Sequence, residues 1–151
     1  MDFTKDDIKE KFKLFNKLYF NGELRMPSKF TIQKMNLAAG RIEVNAKAKK
    51  PYVTIIISNC FDYNENTLDE VIIHEMIHYY LYTKGSKGAF KHGNEFLEQC
   101  DRLFRDFGLN IYAYASHIKL YDKYKPKKSN IEKIIYWIFK PFRFVLDRIF
   151  H

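Results

Sequence analysis

The pentapeptide His74-Glu75-Met76-Ile77-His78 constrains this chain more than any other stretch, because it places two imidazoles and a carboxylate within five residues of one helix. Histidines at i and i+4 lie one above the other on the same helix face, a spacing from which two ring nitrogens reach one metal ion. Glu75 falls about 100° round the helix, close enough to touch a water on that metal. Val71, Ile72, Ile73, Met76, Ile77, Tyr79, Tyr80 and Leu81 make the helix apolar nearly all round, the pattern of an element buried inside a domain. Ionisable groups in the middle of such a helix need partners, since burying them alone costs several kcal/mol. A metal ion supplies them.

The rest of the composition narrows how a metal is held. Cys60 and Cys100 are the two cysteines, with no Cys-x-x-Cys pair, so the chain builds neither a disulfide framework nor a cysteine zinc ribbon. Histidine and carboxylate remain as ligands. With 151 residues, 46% of them hydrophobic, the chain has enough apolar surface for one core and is most simply one domain. The start, Met1 to Asp7, is too charged for a signal peptide, and no run of 18 apolar residues exists, so a cytoplasmic location is expected.

Local patterns give an α+β order. Thr4 ahead of Asp6 and Asp7 starts a helix over about 5–20, with Ile8, Phe12, Phe15 and Tyr19 at helical spacing up to Asn21-Gly22. Alternation over Phe30–Lys34 and Arg41–Val44 predicts two half-buried strands with the Ala38-Ala39-Gly40 turn between them. The β-branched run Tyr52–Ile57 predicts a strand near the centre of a small sheet. Thr67-Leu68-Asp69-Glu70 reads as the capping box that opens the metal helix, which ends near Thr83. A further helix is predicted from about His92 to Phe107, closed by Gly108, with Phe96, Cys100, Leu103 and Phe107 turned inward.

Two histidines leave the metal short of a third protein ligand. His92 falls on the inward stripe of that last helix, four residues before Phe96. Its place at the helix N-terminus disfavours the imidazolium and keeps the ring neutral. Glu95 is a serious competitor. Glu98 projects to the opposite side from His92, and His117 reads as a surface residue or as one that supports a ligand.

The order Asn16-x-x-Tyr19-Phe20-Asn21, Ala39-Gly40-Arg41, His74-Glu75-x-x-His78 and His92-Gly93-x-x-Phe96 resembles the SprT-like zinc metallopeptidase family, over roughly residues 8–120. The alternative metallopeptidase pattern, with glycine three residues after the second histidine and a third histidine beyond, fails at Leu81 and Lys84. The resemblance implies a minimal zincin-like α+β fold with one zinc ion. It makes His74, His78 and His92 the ligands and Glu75 the catalytic acid and base, acting on a protein or peptide substrate. Many members carry a cysteine-rich zinc ribbon or a basic DNA-binding region, and this chain lacks the cysteines. The reading from another class is a non-catalytic, zinc-stabilised module that binds nucleic acid or a partner; a purely structural site has no use for Glu75 beside an open coordination position.

Charge sets the C-terminus apart. Residues 123–151 hold eight Lys or Arg against two acids, a net +6 of the chain's +8. This predicts an organisation of a metallopeptidase domain over 1–122 and a basic amphipathic helical extension over 123–151, opened by Ser129-Asn130-Ile131-Glu132 and kinked at Pro141. Packing on the domain, nucleic-acid binding, peripheral contact with an anionic membrane and docking in a partner's groove are all open to such a segment. Oligomeric state is not legible in the sequence.

Overall fold

Helix α1, Lys5–Tyr19, begins where Thr4 forms a reciprocal cap: its hydroxyl accepts from the Asp7 N–H, and the Asp7 carboxylate accepts from the Thr4 N–H. Ile8, Phe12 and Phe15 recur at helical spacing and are buried, so this face meets the core. The helix stops at Asn21 and Gly22, whose φ angles of 52° and 72° turn the chain sharply. Asn16 pins that turn, its side-chain amide donating to the Leu24 carbonyl at 2.8 Å and accepting from the Leu24 N–H at 3.1 Å. The computed structural model describes residues 1–49 and 52–125.

Three strands follow: β1 (Lys29–Gln33), β2 (Gly40–Asn45) and β3 (Tyr52–Ser58). They form a mixed sheet in the order β1-β3-β2, with β3 parallel to β1 and antiparallel to β2. The Ala38–Gly40 turn therefore joins two strands that do not pair with each other; β3 inserts between them. The reason lies in β3 itself, in which Thr54 to Ser58 are all buried and demand cover on both faces and both edges. The shorter apolar content of β1 and β2 suits the edges.

Helix α2, Glu65–Thr83, packs against α1, β2, β3 and helix α3, Asn94–Phe107. It starts about one turn before the predicted capping box. Asn64 is the cap, accepting from the Thr67 N–H at 2.9 Å, and the Thr67 hydroxyl returns the favour to the Asn64 N–H. Thr67 is thus the inner member of the box and not its opening residue. Helix α3 starts at Asn94 with Gly93 as an extended cap, so His92 lies before the helix and not in its first turn. Its C-terminus is closed by left-handed Gly108, as the sequence predicts. Phe96 and Leu103 are fully buried, Cys100 is half-buried, and Phe107 is exposed except where it packs on Tyr19.

The described part is α+β, three helices on a small mixed sheet, within a compact unit spanning Met1–Tyr121. In the unit that begins at Asp122, the described residues form a 3-10 turn, Asp122–Tyr124. The amphipathic helix expected beyond residue 126 lies outside the described residues. No helix among those described is long and apolar enough to cross a membrane.

Candidate metal centre

Because α2 is buried on nearly every side, packing restricts where its two histidines and Glu75 can lie. His74 and His78 stand one turn apart with their Nε2 atoms 3.1 Å from each other. The loop after α2 brings His92 to the same point, its Nε2 lying 3.0 Å from that of His74 and 3.2 Å from that of His78. The ring of Phe96, from the first turn of α3, forms a floor with its centroid 4.8 Å from each imidazole.

The outer nitrogens settle which tautomers are present. His74 Nδ1 donates to the Tyr112 carbonyl at 2.8 Å, and His78 Nδ1 donates to the Ala89 carbonyl at 2.7 Å. A carbonyl only accepts, so both Nδ1 atoms carry hydrogen and both Nε2 atoms present bare lone pairs. Protonation does not relieve this crowding. Burial, with the neighbouring His78, pushes His74 down to about 3, and burial lowers His78 and His92 as well. Neutral lone pairs aimed at one another from 3.1 Å repel unless a cation lies between them. With sides near 3.1 Å, the point equidistant from the three atoms lies about 1.8 Å from each (3.1/√3). That is close to the roughly 2.0–2.1 Å of a zinc–imidazole bond. The donor set therefore fits zinc: three neutral imidazoles, each of the two helix ligands oriented by a backbone carbonyl.

Glu75 is 4% exposed, and burial raises its carboxyl to about 8. Gly40, the first residue of β2, makes room for it. A Cβ built there would lie 2.5 Å from Glu75 Oε1 and 2.9 Å from Val71 Cγ1, so the close approach of sheet and helix requires glycine. The Glu75 side chain and the imidazoles of His74 and His92 line a cleft of about 420 Å³, whose wall includes Ala38–Gly40 and residues 112–118.

Of the rival ligands, Glu95 is exposed and accepts from the Ser86 hydroxyl, Glu98 is exposed, and His117 pairs with Glu70 at 2.7 Å. Among the described residues, the metal-capable cluster comprises His74, His78 and His92. His92 reaches it from the loop before α3, so neither the predicted helical stripe nor the helix dipole accounts for its place. The carbonyls of Tyr112 and Ala89 are invisible to sequence reasoning, because any residue type supplies a carbonyl.

The model of the SprT-like family matches residues 8–115. The chain belongs to the SprT-like family. The DNA-dependent metalloprotease SPRTN of Bos taurus is 29% identical to this SprT-like chain over 120 residues, which cover 79% of the chain and 25% of that relative. The chain thus spans a quarter of the relative's length. The match contains the whole metal-capable cluster, from α2 through His92, together with Gly40 and Tyr112.

In its metal-free form the site makes opposite demands on pH. The folded pKa of Glu75 is raised above its unfolded value, so the stability it contributes is present below about 4.5 and is lost as pH rises through about 8. The histidines are depressed, so their share is present above about 6.5 and is lost as pH falls below it. Glu75→Gln removes the first effect alone. Metal-free Glu75→Gln is expected to melt near wild type at pH 5 and well above it at pH 9, by about 3–5 kcal/mol at roughly 1.4 kcal/mol per pKa unit. Parallel melting curves across that range would mean that Glu75 is solvated.

Proposed function

We propose that this SprT-like domain is a zinc-dependent endopeptidase of minimal zincin-like architecture, with His74, His78 and His92 holding one zinc ion and Glu75 acting as general base and acid. The observation that carries the reading is the convergence of three neutral imidazoles, two of which line an open cleft together with the buried Glu75. Zinc held there supplies a Lewis acid that activates water and polarises a peptide carbonyl.

The protein's own residues do the remainder. His74 and His78 stay neutral and fixed in tautomer through the Tyr112 and Ala89 carbonyls, so no proton competes for their inner nitrogens. Burial alone holds the Glu75 carboxyl protonated near neutral pH; a zinc ion at the three imidazoles would favour the carboxylate, which takes the proton of the attacking water and passes it to the departing amine, one group serving both steps. Gly40 leaves the space that the Glu75 side chain occupies beside the cleft. Cleavage is the test. An unfolded protein incubated with the purified chain should yield new amino termini, detectable by mass spectrometry, which vanish with chelator and return with added zinc. Persistence of cleavage after complete zinc removal would refute the assignment.

The Bos taurus relative is named a DNA-dependent protease. For the present chain, affinity for polyanions is assigned to residues 123–151, which carry +6 of the net +8. A chain ending at Tyr121 should keep its zinc and lose salt-sensitive binding to single-stranded DNA and to anionic vesicles. Equal DNA binding by the shortened and full chains would remove the tail from the account.

A further inference from the structure

The segment over residues 112–118 that forms part of the cleft wall is tied down at both ends. Ile111 and Ile118 are buried, Leu120 bridges to Phe61, and the Asp62 N–H donates to the Lys119 carbonyl at 2.7 Å. Between these anchors, the Tyr112 carbonyl accepts from His74 Nδ1. Five residues on, His117 Nε2 donates to Glu70 Oε2 at 2.7 Å, and the His117 ring packs against the Tyr112 ring with centroids 4.6 Å apart. Glu70 precedes His74 by one turn of α2, so both sit on the helix face that looks into the cleft.

The pair is a poor candidate for a stabilising contact. The side chains are 35% and 26% exposed, and ion pairs this open to solvent contribute little to folding. Its position is more informative than its strength, because the His117 ring packs on the ring of Tyr112, the residue whose carbonyl accepts from His74 Nδ1. We propose that Glu70 and His117 form a clasp that positions Tyr112 against His74 and thereby sets the geometry of the metal centre. Both are positioning residues, and the inference rests on the zinc assignment above. Partners that orient a metal-binding histidine typically govern metal affinity by about 10–100-fold.

The experiment compares full-length wild type with His117→Ala, Glu70→Ala, the double variant and His117→Gln, which keeps an N–H donor. Zinc release to a competing chelator, the visible spectrum of the cobalt-substituted protein and the melting of the metal-free protein are measured for each. Both alanine variants should release zinc about 10–100-fold faster with an altered cobalt spectrum. The double variant should add nothing further, His117→Gln should recover most of the loss, and metal-free melting should be unchanged. Zinc release and cobalt spectra equal to wild type in the alanine variants overturn the clasp alone. A fall in metal-free melting that tracks zinc release and is not rescued by glutamine makes the pair structural and also overturns it. Failure of wild type to bind either metal overturns the zinc assignment, and the clasp with it.

Discussion

Glu75→Gln should retain one zinc per chain and the wild-type fold while losing about 10²–10⁴-fold in kcat/KM for peptide hydrolysis, the span that a positioned general base contributes. At roughly 1.4 kcal/mol per factor of ten this is about 3–5 kcal/mol of transition-state stabilisation. The substitution is well suited to the question. Glutamine matches the shape of the buried side chain that lies against Gly40, so packing is preserved. Its amide cannot accept the proton of water at any pH. The loss should therefore fall on kcat, with KM little changed, because Glu75 meets the substrate's surroundings mainly during proton transfer. A variant that cleaves as fast as wild type would leave Glu75 a packing residue and require another base in the cleft.

His92→Ala is expected to weaken zinc binding by more than about 100-fold, beyond what loss of a supporting contact costs. It removes one corner of the Nε2 triangle, leaving His74 and His78 as a two-nitrogen site. Glu95→Ala is the matched control on the same segment. Its carboxylate is turned to Ser86 and is exposed, so zinc affinity should not move. Competition with a chelator of known affinity reads both. The reverse pattern would transfer the third ligand to Glu95.

Much of this architecture was legible because side-chain periodicity reports burial directly. The all-round apolar surface of α2, the stripe of Ile8, Phe12 and Phe15, and the left-handed Gly108 each follow from local chemistry. Strand order was not, since alternation in β1 and β2 says that they are half-buried without naming a neighbour. The burial of β3 on both faces drew it between them. Helix starts were blurred by a similar ambiguity: Thr67 suits either member of a capping box, and only Asn64 before it decides. In the site, residue types were readable and supports were not. His92 reaches the cluster through a loop whose course depends on tertiary packing, and the carbonyls of Ala89 and Tyr112 act through backbone atoms common to every residue. His117 stands apart from the cluster, hydrogen-bonded to Glu70.

Zinc-edge X-ray absorption on the zinc-loaded full chain tests the central claim most directly, because it separates an open catalytic centre from a closed structural one. The account predicts three imidazole nitrogens at about 2.0–2.1 Å and one further light-atom ligand from solvent, with no sulfur. Sulfur from Cys60 or Cys100, or a fourth imidazole such as that of His117, would contradict it, since either closes the position at which a substrate carbonyl must be polarised.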